Sequence, residues 1–343
     1  MPARQSQPAI LRTAILALTL AVAACDSAES PLSPDAAEPL APESVGAESV
    51  PAMPEMLTAG TGPRILFSSA RTGGTDLYRM APDGSGVVRV TTFTGPDQFP
   101  AWSWDNNRIA FMRNRLDASN AVHQDIYLMN ADGTGKRWAR SVTTPYNITD
   151  PSWSKDGTRL VVSVWITGAR SVGGTPYLAL INLATGSLSY INAVTGGVIG
   201  YGPSFDPTGK KIVYAGQEMR SLEMINADGS GHQAIVASPD RGSLTGKFLY
   251  PAFSPDGKKV AYTGSLVANS DIYVRTLVGG TTKALTTYSG TDMRPTWSAD
   301  GTRIAFMSDR TGKSQIYTVP SNGGTQVRIT NTSVAESSPA WSH

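Results

Sequence analysis

Reactive side chains are scarce in this chain: 343 residues contain one cysteine and three histidines. A single thiol excludes a disulfide framework. No Gly-x-Ser-x-Gly elbow, His-Glu-x-x-His pair or aspartate-rich calcium loop occurs, so the linear signatures of serine hydrolases, zinc proteases and EF-hand proteins are missing. Gly133-Thr-Gly-Lys136 has letters of a phosphate-binding loop without its spacing. The apolar run Thr13 to Ala24 is too short to span a bilayer. Charged residues make up only 16% of the sequence and form no basic run, so nucleic acid is not an expected partner.

What the chain has is one short phrase, repeated. Its opening word reads Pro-Ala-Trp-Ser at Pro100, Pro-Ser-Trp-Ser at Pro151, Pro-Ser-Phe-Asp at Pro203, Pro-Ala-Phe-Ser at Pro251, Pro-Thr-Trp-Ser at Pro295 and Pro-Ala-Trp-Ser at Pro339. The anchors lie 51, 52, 48, 44 and 44 residues apart. Periods of this length built from strand-like words point to an all-β propeller, one four-stranded antiparallel blade per repeat. In the copy at Pro295, an Asp300-Gly301 turn leads to Arg303-Ile-Ala-Phe-Met307, then Gln315-Ile-Tyr-Thr-Val319 and Gln326-Val-Arg-Ile-Thr330. Each segment is rich in β-branched and aromatic residues and bounded by turn formers.

The first copy lacks its opening word, and the last opening word has nothing after it. Second strands begin at Arg64, Arg108, Arg159, Lys211, Lys259 and Arg303, six in all, and first strands also number six. The orphan at Pro339 to Ser342 is therefore expected to complete the first blade and close a six-bladed ring, leaving no open sheet edge. The repeated Trp or Phe (Trp102, Trp153, Phe205, Phe253, Trp297, Trp341) is expected to pack blade against blade. Asp76, Asp125 and Asp271 are expected to satisfy backbone donors at strand starts. Blades three and four depart from that pattern, at Tyr177-Leu-Ala and Ser221-Leu-Glu, so their outer edges are expected to differ in role.

These words resemble the WD40-like (PD40) repeats of the TolB-like six-bladed propeller family, whose phrases are Pro-x-Trp-Ser-x-Asp-Gly-x-Arg-Ile-Ala-Phe and Asp-Ile-Tyr-x-Met-Asn. The resemblance covers residues 58 to 343 and implies the fold. It implies little about activity, because propellers host unrelated functions. TolB proteins carry a separate α/β domain before the propeller, for which residues 58–343 leave no room.

Arg4 and Arg12 ahead of Thr13 to Ala24 read as a secretion signal over residues 1–24, and Val22-Ala-Ala-Cys25 resembles a bacterial lipobox. Cys25 is the expected lipidation site. Residues 26–57 hold six prolines, seven acidic residues and no basic one, so residues 25–57 read as a lipidated cysteine followed by a disordered spacer. With the leader's two arginines and the spacer's seven acids set aside, 27 basic and 20 acidic residues remain in the propeller, a net +7. The chain is thus expected on a membrane outside the cytoplasm, in the periplasm or at the cell surface. Which membrane stays open.

Antiparallel blades place the first-to-second and third-to-fourth turns at one end and the second-to-third and inter-blade connections at the other. The former barely vary: Asp156-Gly157, Asp256-Gly257, Asp300-Gly301, Asp132-Gly133 and Asp228-Gly229. The latter include long connections at Arg113–Gln124, Trp165–Thr175, Val142–Asp150 and Ala237–Tyr250, and variable loops on a rigid scaffold are where binding concentrates. A site is expected there, at the mouth of the central channel, with Arg113, Arg115, Asp117, His123, Tyr146, Asp150, Trp165, Arg170, Tyr201, Phe248, Tyr250, Asp292 and Arg294 as its lining. His123 and His232 fall at opposite ends of their blades, so a multi-histidine metal centre is not expected. The reading is a monomeric, non-enzymatic scaffold that binds protein in the bacterial cell envelope, with no cofactor and no metal. A glycan-binding module is the alternative, and after it a metal-assisted hydrolase or lyase at the channel mouth, built from scattered Asp and Asn.

Overall fold

The computed structural model describes residues 62–116, 122–143, 146–166, 176–191, 197–237, 246–266 and 269–343. The leader, Cys25, the spacer, Asp117 and Arg170 lie outside the described residues. Blade one begins with β1 (Ile65–Ser69), β2 (Asp76–Met80) and β3 (Val88–Arg89). Blade two is β4 (Asp97–Trp102), β5 (Arg108–Leu116), β6 (Val122–Asn130) and β7 (Arg137–Thr143). Blade three is β8 (Tyr146–Trp153), β9 (Arg159–Ile166), β10 (Tyr177–Asn182) and β11 (Leu188–Tyr190). Blade four is β12 (Tyr201–Phe205), β13 (Lys211–Ala215), β14 (Ser221–Asn226) and β15 (Gln233–Ala237). Blade five is β16 (Gly246–Phe253), β17 (Lys259–Leu266), β18 (Asn269–Thr276) and β19 (Thr282–Ala284). Blade six is β20 (Asp292–Trp297), β21 (Arg303–Ser308), β22 (Gln315–Pro320) and β23 (Val327–Arg328), after which β24 (Glu336–Trp341) pairs with β1. All six sheets are four-stranded and antiparallel, and blade one has the order β24-β1-β2-β3. The six-bladed ring and its closure are as the repeats require.

The repeated Ser-x-Asp-Gly word explains the tight turns. Ser298 Oγ donates to Asp300 Oδ1 at 2.6 Å and accepts the Arg303 amide at 2.9 Å, while Asp300 Oδ1 accepts the Thr302 amide at 3.0 Å. Ser154 with Asp156 and Ser254 with Asp256 repeat the arrangement. The Ser154 hydrogen bond, followed by the Thr158 amide, holds the Asp156 carboxyl down at about 2. In blade four Asp206 replaces the serine and accepts the Lys210 and Lys211 amides directly, both at 2.8 Å.

Apolar packing falls between blades. Six buried clusters occur, each drawing on two neighbouring blades, as where Ile109 and Phe111 of blade two meet Leu66 and Leu77 of blade one. The repeated Trp or Phe is buried in all six blades. Trp153 Nε1 donates to Ala101 O at 3.1 Å and Trp297 Nε1 to Ala252 O at 3.0 Å, each reaching the first strand of the preceding blade. This is the blade-to-blade role expected of them. Truncating one such fully buried aromatic costs about 3–5 kcal/mol in general.

One turn is wedged into its neighbour. Gly84, between β2 and β3, has φ +86°, and a Cβ added there would stand 2.1 Å from Ile329 O of blade six. Backbone cannot yield as a side-chain tip does. Gly84→Ala is expected to destabilise the fold by about 2 kcal/mol, read as a lowered urea midpoint; an unchanged midpoint would mean that blades six and one are not packed this closely.

The aspartates expected at third-strand starts have a different task from the one expected, and only Asp76 begins its strand, Asp125 and Asp271 lying inside β6 and β18. Asp76 Oδ2 accepts from Arg89 at 2.8 Å and Thr72 Oγ1 at 2.7 Å, Asp125 Oδ2 from Arg115 at 3.1 Å, and Asp271 Oδ1 from Thr286 at 3.1 Å. Side chains from the adjoining strands and loops reach them first, so they tie strands together through side chains.

Candidate functional site

The first strands β4, β8, β12, β16, β20 and β24 each contact the first strands of both neighbouring blades and wall a central channel of about 180 Å³. In every blade the pairing of this strand shifts register next to the repeated proline. A proline has no N–H to give a ladder, and a bulge is where a sheet tolerates it. The residue before the proline takes positive φ each time: Phe99 (55°), Asp150 (53°), Gly202 (55°), Tyr250 (49°), Arg294 (58°) and Ser338 (50°). Only one of the six is glycine, and each of the others is held at a cost of about 1–3 kcal/mol. The bulge turns all six toward the channel.

Four of them make one cluster around Arg294. Arg294 Nη1 donates to Asp150 Oδ1 at 2.9 Å. Its guanidinium carbon lies 4.1 Å from the Phe99 ring centroid and 3.9 Å from that of Tyr250. An arginine from blade six thus crosses to an aspartate of blade three, between aromatic rings of blades two and five. Asp150 Oδ2 also accepts from Thr149 Oγ1 at 2.9 Å. Burial disfavours the Arg294 charge, but the Asp150 carboxylate and the Tyr250 hydroxyl outweigh it and raise its pKa. Gly202 fits the same design: a Cβ there would come within 3.3 Å of Tyr250 Cδ1.

Asp150, Tyr250 and Arg294 were expected together at the channel mouth on the inter-blade face; they do meet, but at the bulges inside the channel, whose lining runs from them toward the first-to-second turns through Trp104, Pro255 and His343. Phe99 completes the set and was missed, although it stands in the same column, directly before the proline. The other expected residues go elsewhere. The connection expected over Arg113–Gln124 is largely strand: β5 and β6 pair from Arg108↔Asn130 out to Leu116↔Val122. Arg113 is therefore buried, its guanidinium 3.6 Å from the Phe93 centroid and its Nε 4.0 Å from Asp97. Arg115 pairs with Asp125, and His123 Nδ1 lies 3.4 Å from Ser141 Oγ. Tyr146 and Trp165 sit in β8 and β9, paired with Ile166 and Asn147. Tyr201 pairs with Ala215, and Phe248 packs edge-on to Tyr262 at 5.7 Å. Asp292 is buried and held by Arg310 at 2.8 and 2.9 Å. The connections expected up to Asp150 and Tyr250 likewise end inside β8 and β16.

Blade four departs from the common pattern for a visible reason. Glu223 accepts from Ser221 Oγ at 2.6 Å and bonds His232 Nε2 at 2.8 Å. Burial pushes the Glu223 carboxyl up, and the His232, Ser221 and Tyr214 contacts more than offset it, so its pKa is lowered. Among the described residues no three His, Cys, Asp or Glu side chains converge as a metal site would require.

The profile of the family described as the TolB beta propeller domain matches residues 59–241 and 240–343. A Tol-Pal system protein TolB of Francisella tularensis subsp. mediasiatica is 28% identical over 229 residues, which is 53% of this chain and 50% of that protein. The chain thus spans about half the length of the curated relatives it matches. Among solved structures, TolB from Acinetobacter baumannii superposes with a TM-score of 0.65 at 18% identity, over 81% of this chain and 66% of that one. An oligogalacturonate lyase from Vibrio parahaemolyticus superposes with a TM-score of 0.52 at 15% identity, over 78% and 74%. At these identities both share the fold.

Proposed function

Because the chain belongs to the TolB β-propeller domain family, we propose that it is an extracytoplasmic scaffold, tethered by a lipidated Cys25, that binds an envelope protein at the channel mouth. In this reading residues 1–24 are removed on export and residues 25–57 stand the propeller off the lipid. The carrying observation is the Arg294 crossbar. Arginine and tyrosine are the side chains most often found at the energetic centre of protein interfaces. Here four blades place them, with Phe99 and Asp150, in one concave spot. An acidic side chain of a partner pairs with Arg294 beside Asp150, which keeps its own bond, and the two rings keep water from the new pair. The relatives carrying the Tol-Pal name support an envelope protein as the partner class.

The test is crosslinking in the organism's own cells, with a photoreactive phenylalanine at position 250 and a control at position 232 on the outer edge of blade four. One envelope protein joined from position 250 and absent from position 232 is expected. In the same cells Cys25→Ser is expected to move the chain from the membrane to the soluble fraction. No adduct from position 250 would sink the scaffold reading, and membrane retention of Cys25→Ser would sink the tether alone.

A further inference from the structure

Closing the ring completes blade one but leaves the outer edge of every fourth strand open, and propellers keep such edges short. β3, β11, β19 and β23 hold two or three residues each, and β15 holds five. β7 holds seven, about 23 Å of strand. It is the last strand of its sheet and pairs on one side with β6, from Leu128↔Arg137 to His123↔Thr143. Among the described residues no backbone bond from a turn or loop reaches residues 137–143 on the other side. A single bulge blunts this edge at Ala139, between Trp138 and Arg140, and leaves Arg140–Thr143 pairing without a break.

Charge singles out the same strand. Lys136, Arg137 and Arg140 put three cations in five residues, and no other five-residue stretch of the chain does so. Among the described residues none of the three forms an ion pair. The carboxylates on β6 and on the turn into β7 are already engaged. Asp125 accepts from Arg115 at 3.1 Å, and Asp132 accepts the Thr134 amide and hydroxyl at 2.9 and 2.6 Å. Arg140 Nε is buried with no acceptor among the described residues, and its Nη1 reaches the Gly186 carbonyl at 3.4 Å. Burial is the main cause that lowers the pKa of both Lys136 and Arg140, so each gains from a carboxylate brought against it.

A long open edge offers main-chain donors and acceptors, and the side chains beside it call for negative charge. We infer that β7 takes an extended acidic segment of a partner protein as a fifth strand of blade two. Main-chain pairing along Arg140–Thr143 supplies the affinity, and carboxylates at alternate positions of the segment meet Lys136, Arg137 and Arg140. This surface is the outer wall of the blade, away from the first strands that line the channel. The inference therefore stands whether or not a partner enters the channel.

The test uses the full chain and a ten-residue peptide of alternating valine and glutamate, followed by amide hydrogen exchange. Slower exchange within residues 137–143 is expected on adding the peptide, with no change in β3 or β23. A copy of the peptide N-methylated throughout keeps the charge and loses the backbone donors, and is expected to bind about tenfold or more weakly. A copy with lysine in place of glutamate leaves the protein untouched and is expected not to bind. Unchanged exchange within residues 137–143, or equal binding of the N-methylated or the lysine copy, would overturn the inference. Protection of these residues by phosphatidylglycerol vesicles and not by the peptide would overturn it in favour of a lipid surface.

Discussion

Asp97→Asn is expected to stabilise the protein at pH 8, by an amount that shrinks as the pH falls toward 4. Asp97 opens β4, is fully buried, and has Arg113 Nε at 4.0 Å. Burial pushes its carboxyl up to about 7; the Thr91 hydroxyl, Arg113 and Lys136 offset only part of this, and the Asp76 charge adds to it. Arg113 and Thr91 are near, yet neither oxygen of Asp97 has a donor in bonding geometry. A carboxyl whose folded pKa lies above its ordinary 3.8 binds its proton more tightly in the fold than in the unfolded chain. Stability is therefore lost as pH rises between those two values, and the full loss at pH 8 is on the order of 4 kcal/mol. Asparagine keeps the shape and removes the charge. Urea unfolding of both proteins at pH 4, 6 and 8 measures this, and a difference that does not change with pH would show that Asp97 is paired in the fold.

Arg294→Ala is expected to cost about 3–5 kcal/mol, because it leaves Asp150 charged and largely buried without its partner. The side chains of Arg294 and Asp150 are only 17% and 16% exposed, so water compensates little. In the Arg294→Ala background, Asp150→Ala is expected to cost much less than it does alone, since neighbours that share one ion pair do not add. Arg294→Gly is expected to recover about 1 kcal/mol relative to Arg294→Ala, because φ at this position is +58°. Thermal or urea unfolding of the four variants reads all three differences. Equal losses for Asp150→Ala in both backgrounds would mean that the crossbar carries no coupling. If the crossbar is also the partner's anchor, both glycine and alanine at position 294 abolish capture, which separates binding from backbone strain.

The ring was legible because its message is written six times. Five of the six second strands begin at the residue expected, and β1 begins one later, at Ile65. Closure followed from counting orphan words, and Ile65 does pair with Trp341. The site was legible in part. Asp150, Tyr250 and Arg294 drew notice as polar or aromatic residues beside a repeat, but the reason they meet is the bulge before each proline. The column of residues preceding Pro100, Pro151, Pro203, Pro251, Pro295 and Pro339 would have added Phe99. Arg113 misled because a run of arginine and asparagine after Met112 reads as loop. The ladder continues through it, since Arg113↔Asp125 and Arg115↔His123 pair, and alternation then turns Arg113 inward onto Phe93. Sequence shows which residues favour strand; how far two strands go on pairing depends on both at once.

The amide of Arg64 donates to Ser342 Oγ across a separation of 278 residues. Blade one is thus the earliest to be synthesised and the last that can be finished. Its inner strand arrives only after every other blade has been made, so the ring has no stable partial form in which its first sheet is whole. Entropy charges little extra for so distant a contact, because the cost grows only with the logarithm of the loop, but it delays the contact. The final step of assembly is then a latch rather than a gradual tightening, and until it shuts, β1 offers an unpaired edge to any other strand nearby.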